Sequence, residues 1–211
     1  IAYTYSEPGV WFEFIKDLAP RIKEKGMVNV LVTNGYLNKK PFRELLNDVD
    51  ALNIDIKAFT ESFYRTYVRG TLKPVLESCI AAKEAGKHLE VTALLIPGLN
   101  DGEAQVRELS KWLATLDERI PLHISRYFPS YKMEVEQTPP KTMERAWEIA
   151  KEHLKHVFIG NAPSLDRADT FCPSCGELLI KRDSYRMGVF LEEANKCPGC
   201  QTVLAEIVNC V

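Results

Sequence analysis

Short apolar runs rich in β-branched residues alternate along the chain with longer stretches whose apolar residues recur at helical spacing. The runs are VNVLVT (28–33), ALNIDI (51–56), LEVTALLI (89–96), PLHISRY (121–127) and HVFIG (156–160), and the opening IAYTY also reads as a strand. Helical patterns fill the gaps at 10–25, 41–46, 73–85, 103–116 and 142–154. Gly26 and Gly86 stand where two of these helices need a left-handed C-cap. Strand–helix repetition of this kind predicts parallel strands joined by right-handed crossovers, in a doubly wound sheet or a (β/α) barrel. Near residue 168 the rhythm stops and a Cys-, Pro- and Gly-rich segment begins. The expected organisation is α/β: a partial (β/α) barrel over 1–168, then a small zinc-ribbon-like domain over 169–211.

The alternation within the strands favours the barrel. Ile54 and Ile56 alternate with Asn53, Asp55 and Lys57; Val91 and Ala93 with Glu90 and Thr92; Leu122 and Ile124 with His123 and Ser125. Successive side chains leave a strand on opposite faces, so one face of each is apolar and the other polar. Parallel strands covered on both faces usually read as unbroken apolar runs. Burying unpartnered Asp, Lys, Glu and His costs several kcal/mol each. The polar face is therefore expected to line a ligand-binding lumen. The alternative is a satisfied structural network at the strand ends.

Composition narrows the classes. With 45% hydrophobic and 27% charged residues in 211, the chain is long enough for one sizeable core and a small appendage. A formal charge of −2, with Lys and Arg scattered, gives neither a nucleic-acid footprint nor a membrane-surface stripe. No apolar run approaches the ~18 residues of a membrane span. Four of the six cysteines fall in two Cys-x-x-Cys pairs, Cys172/Cys175 and Cys197/Cys200, with 21 residues between the pairs. That spacing places four thiolates around one ion, zinc ahead of iron, and indicates a reducing, cytoplasmic setting rather than a disulfide framework. So short a segment, with few large apolar residues, depends on metal to fold. Cys79, in mid-helix, is expected to pack in the core.

Several turns carry polar residues at strand ends: Ser6-Glu7-Pro8 after the first run, Thr33-Asn34-Gly35 after the second, Asp55 and Lys57 closing the third, and IPGLND (96–101) after the fourth, where Asp101 is expected to cap the next helix. Singly, each is ordinary turn chemistry. In this order, TYSEP, VTNGY, DALNIDIKAF, VTALLIPGLND and CPSCG…KCPGC resemble a radical S-adenosylmethionine (SAM) enzyme. The branch is related to pyruvate formate-lyase activating enzyme, and more narrowly to the radical SAM member of the AmmeMemoRadiSam system.

The resemblance covers essentially the whole chain and implies a set of SAM contacts. Ser6 and Glu7 take the place of the Gly-Gly-Glu-Pro turn that holds the methionyl amino group; Thr33 and Asn34 match a Thr-Asn-Gly turn beside the site; Asp55 and Lys57 match an Asp-x-Lys along it. His123 joins them on alternation alone. The implied chemistry is reductive cleavage of SAM at a [4Fe–4S] cluster to a 5′-deoxyadenosyl radical, which abstracts hydrogen from a substrate such as a protein loop, with flavodoxin or ferredoxin as electron donor. The segment SRYFPSYKM (125–133) is nominated for substrate contact. Two departures stand out. The cluster-binding Cys-x-x-x-Cys-x-x-Cys is absent, so Ile1 is expected to lie in the second strand, with the motif upstream and the fragment inactive alone. Val32 replaces the Asp that precedes the Thr-Asn-Gly turn near a monovalent-cation site in the activating enzymes, so that cation is not carried over.

Two other classes remain. A Schiff-base lyase would use Lys57 as nucleophile, detectable by borohydride trapping. A non-catalytic module would dock a partner through the zinc ribbon on a decayed barrel, and would have no affinity for SAM.

Overall fold

The computed structural model of the chain describes residues 1–183 and 186–204. Its first sheet is built from β1 (Ala2–Tyr3), β2 (Val30–Thr33), β3 (Ala51–Asp55), β4 (His88–Leu95), β5 (Leu122–Arg126) and β6 (Val157–Gly160), in the order β1-β2-β3-β4-β5-β6. The pairings β1–β2, β2–β3, β3–β4 and β5–β6 are parallel. A sheet ordered strictly by sequence has no reversal of strand order, which removes the doubly wound alternative. The connecting helices are α1 (Phe12–Glu24), α2 (Lys39–Leu45), α4 (Lys73–Glu84), α5 (Glu103–Asp117) and α6 (Pro140–Lys151). Each falls within a few residues of its expected place. A short α3 (Glu61–Phe63), running into a π-helical turn Tyr64–Val68, has no counterpart in the sequence reading. Two turns lack the residues to show a repeating apolar stripe. No described helix is long and apolar enough to cross a membrane.

The chain forms two compact units, Ile1–Leu94 and Leu95–Val211. In the first, α1 and α4 end on Lys25 and Ala85, and Gly26 (φ +71) and Gly86 (φ +68) follow in the left-handed conformation the sequence required. Leu52, Ile54, Ile56 and Val91 are buried, as the alternation demands. Asn29 is a buried polar centre that the sequence did not announce. Its side-chain amide donates to the carbonyls of Ala19 (2.9 Å) and Asp48 (3.0 Å), its Oδ1 accepts from Tyr3 Oη (2.9 Å), and its backbone N–H donates to Asp50 Oδ2 (2.8 Å). One satisfied amide thus ties together β1, α1 and the segment before β3.

In the second unit, Leu122 and Ile124 are buried, and α5 and α6 are clasped by Arg145, which donates through Nε and Nη2 to the two oxygens of Glu103 at 3.0 Å each. Asp101 does not cap α5. Gly102 occupies that position, and Asp101 reaches back to accept from Gly98 N–H (2.8 Å), while Asn100 accepts from Ile96 N–H (2.6 Å), so both side chains serve the turn instead. A separate antiparallel sheet, β7 (Thr170–Phe171), β8 (Leu178–Asp183) and β9 (Arg186–Val189), forms the C-terminal element.

Candidate functional site

The first unit gathers polar groups at the carboxyl ends of consecutive strands. After β1 the chain turns through Ser6 into Glu7, whose extended backbone caps a 3-10 turn, Pro8–Trp11, with Pro8 at its start. Glu7 Oε1 accepts from Gly9 N–H (3.0 Å) and from the Thr33 hydroxyl (2.6 Å); Oε2 accepts from Asn34 N–H (2.8 Å). One carboxylate therefore pins the turn after β1 to the turn after β2. A carboxylate has about four acceptor positions. Three are used by donors among the described residues, two on Oε1 and one on Oε2.

The turn after β2 is equally determined. Thr33 is buried and its hydroxyl accepts from Gly35 N–H (3.1 Å), while Asn34 Oδ1 accepts from Tyr36 N–H (2.7 Å). Gly35 has φ +67, and a Cβ there would lie 2.8 Å from Ile54 Cγ2, so only glycine fits. Ser78 on α4 donates to the Gly35 carbonyl (2.8 Å), fixing the turn from behind.

At the end of β3, Lys57 Nζ donates to Asp55 Oδ2 at 2.5 Å, and the two side chains are 40% and 31% exposed. The backbone N–H of Lys57 donates to Tyr64 Oη (3.1 Å), and Tyr64 is fully buried; burial pushes its hydroxyl up to about 12, so it stays neutral. The short π-helical turn thus fastens the end of β3. On the same face, Thr92 donates to Asn53 Oδ1 (2.8 Å) and His88 Nε2 lies 3.0 Å from Glu90 Oε1. The polar face of β3 and β4 is half-buried and paired, as the structural alternative required, yet its outermost pair, Asp55–Lys57, remains accessible.

Six of the seven residues singled out as SAM contacts belong to the first unit. Glu7, Thr33 and Asn34 are bonded directly; Asp55 and Lys57 form their own pair at the end of the neighbouring strand; Ser6 is exposed in the turn before Glu7. His123 lies in the second unit, on β5, where its ring stacks on Phe158 with centroids 5.3 Å apart. Val32 is exposed and pairs in register with Asn53. Residues that sequence reasoning missed are Tyr64 and Ser78, which position the turns through single hydrogen bonds that no motif signals. In the second unit, SRYFPSYKM forms a loop with Tyr127 Oη donating to the Met133 carbonyl (3.2 Å) and Tyr131 almost fully exposed.

The four C-terminal cysteines converge. All four Sγ atoms lie within 4.8 Å of one another, with Cys172–Cys200 at 3.7 Å and Cys175–Cys197 at 3.5 Å. Four thiolates at a tetrahedral zinc, with Zn–S near 2.3 Å, are about 3.8 Å apart. The two knuckles share one hydrogen-bond pattern. Cys172 N–H donates to the Glu177 carbonyl (2.8 Å) and Gly176 N–H to the Cys172 carbonyl (2.9 Å); Cys197 N–H donates to Thr202 (3.0 Å) and Gln201 N–H to Cys197 (2.9 Å). The Thr202 hydroxyl lies 3.2 Å from the Cys200 Sγ. The donor set and spacing fit a tetrahedral metal ion with four protein ligands, Cys172 and Cys197 buried and Cys175 and Cys200 exposed. Cys79 is buried in α4, its thiol pushed up to about 12 by that burial. Cys210 lies outside the described residues.

Comparison with known proteins accords with this geometry. No protein-family model matches the sequence. The uncharacterized protein MJ0808 of Methanocaldococcus jannaschii is 44% identical over 205 residues, covering 95% of this chain and 61% of the relative, so the chain spans about three-fifths of that protein's length. Among solved structures, a domain of pyruvate-formate lyase-activating enzyme from Bacteroides vulgatus superposes with a TM-score of 0.67 at 20% identity, covering 76% of this chain and 98% of that one. A radical SAM methyltransferase from Sphaerobacter thermophilus gives a TM-score of 0.59 at 17% identity, covering 82% and 52%. Streptococcus suis SuiB bound to S-adenosylmethionine gives 0.61 at 14% identity, covering 74% and 38%. The structural neighbours are radical SAM enzymes, and the likeness is one of fold.

Proposed function

We propose that this chain is the SAM-binding part of a radical SAM enzyme similar to pyruvate formate-lyase activating enzyme. The supporting observation is the Glu7 carboxylate, which joins the turns after β1 and β2 and accepts from three donors among the described residues. In this reading, Glu7 Oε2 accepts from the methionyl ammonium, with the backbone of Ser6 beside it. Thr33 and Asn34 hold Glu7 in place. Asp55 and Lys57 present opposite charges to the two ends of the zwitterion, the protein's part being orientation and exclusion of water.

When bound, a reduced [4Fe–4S] cluster supplies the electron that cleaves SAM. The described cysteines do not fit it, since Cys79 is enclosed in a helix and the other four converge at the C-terminal site. The reading assigns the cluster ligands to chain outside these 211 residues. It also takes residues 1–168 as the barrel portion and 169–211 as the ribbon, with zinc as the ion, in a reducing compartment. The substrate is a hydrogen donor such as a protein loop, reached through SRYFPSYKM, and the electron donor is a flavodoxin or ferredoxin.

The experiment is Asp55→Ala in the longer protein with its cluster reconstituted, reading SAM affinity and bound zinc together. The expected result is SAM binding weakened about tenfold, roughly 1.4 kcal/mol, with zinc content unchanged. Unchanged SAM affinity, or loss of zinc alongside it, would overturn the assignment.

A further inference from the structure

The second unit contains a cavity of about 250 Å³ at the edge strand β6, walled by α6, β6 and the segment leading into β7. Trp147 on α6 is anchored there, its indole N–H donating to the Val157 carbonyl (2.9 Å). Two cations lie against that one indole: the Arg167 guanidinium at 4.5 Å from the ring centroid and the Lys151 ammonium at 6.0 Å.

The charges lining the cavity do not cancel. Lys155 is engaged with Glu118 (3.6 Å), and Asp169 accepts from the backbone N–H of Arg182 (2.6 Å). Lys151 and Arg167 pair with no carboxylate among the described residues, and Asp166, exposed to solvent, is the acid that opposes them. Lys151 donates to the Lys155 carbonyl (2.7 Å). Its pKa is lowered by partial desolvation and then by the charge of Lys155, although the side chain as a whole is exposed. A carboxylate satisfies one guanidinium fork. A phosphate monoester, with three acceptor oxygens and up to two charges, can meet two separate cations at once. The half-exposed ring of Phe171 lines the same cavity and offers an apolar contact to whatever the phosphate carries.

We propose that this cavity binds a phosphomonoester, its phosphate between Lys151 and Arg167 and its organic part against Phe171. The site is independent of the SAM reading, since every residue it uses lies in the second unit.

Calorimetric titration of the metal-loaded chain with phenyl phosphate at constant ionic strength tests it, with inorganic phosphate and benzoate as comparisons. The expected result is one saturable site, tighter for phenyl phosphate than for either comparison. Binding should weaken at least tenfold in Lys151→Gln and in Arg167→Gln, and be unchanged in Lys40→Gln. Both substituted cations are exposed, and a matching thermal melt confirms that each variant is folded. Absence of a saturable site, or unaltered affinity in both variants, would overturn the proposal. Equal affinity for inorganic phosphate would overturn the assignment to an ester, and equal affinity for benzoate the assignment to phosphate.

Discussion

Glu7 has a structural role that its motif does not announce. Read as a string, Ser-Glu-Pro suggests a ligand contact; in space, the carboxylate is the bolt between two loops, accepting from Gly9, Thr33 and Asn34. Its removal should therefore register in stability even without SAM. Glu7→Ala leaves the Thr33 hydroxyl and the Asn34 N–H without their acceptor in a partly buried place. The expected loss is about 1–3 kcal/mol by urea denaturation of the chain alone. No measurable loss would show that water replaces the carboxylate freely and that the fold does not depend on it. Asn29 and Tyr64 show the limit at this scale. Each organises a turn or strand end, Asn29 across 10 and 19 residues and Tyr64 across 7, and neither sits in a pattern that distinguishes it from any other Asn or Tyr.

Helices α5 and α6 were legible from their apolar spacing, and what joins their exposed faces is electrostatic. Arg145 forks onto Glu103 and reaches Glu148 at 3.2 Å; Arg107 pairs with Glu152. The hydrogen bonds from Arg145 lower the Glu103 pKa against a slight opposing effect of burial. A carboxylate depressed in the folded state stabilises above its unfolded pKa, near 4.3, and that contribution is lost as pH falls through the lower folded value. Glu103→Gln should therefore lower Tm slightly at neutral pH, with the deficit closing as pH falls below the ordinary carboxylate range. A deficit that stays constant over that range would mean that the fork contributes nothing. The pair is exposed, so added salt should shrink the effect as well.

Across the whole molecule, the ribbon is the part least able to stand unaided. Its buried cluster consists of Cys172, Leu179, Ile180, Cys197 and Leu204, with Leu191 packed against it, so two of its buried side chains belong to the candidate metal site. Removing the ion with a thiol-reactive mercurial or strong chelator should release one metal per chain. Amide protection over 170–204 should collapse while β2 to β4 keep theirs. Retained protection over 170–204 after complete metal loss would show that the small core suffices. Loss over β2 to β4 as well would show that the first sheet depends on the ribbon.

What the sequence determined by itself is whatever short-range periodicity encodes. The strand–helix rhythm, the glycine caps after α1 and α4, the apolar faces of β3, β4 and β5, and the paired Cys-x-x-Cys spacing all follow from rules that act within a few residues, and the structure bears out each of them. What only the tertiary structure decided is how distant polar groups share their hydrogen bonds. Glu7 accepts from Thr33 and Asn34 in the turn after the next strand, Asn29 joins α1 to the segment before β3, and the Arg167 guanidinium lies 4.5 Å from the Trp147 ring centroid. These outcomes depend on which donors and acceptors packing brings within about 3 Å, and sequence periodicity carries no record of distance between elements.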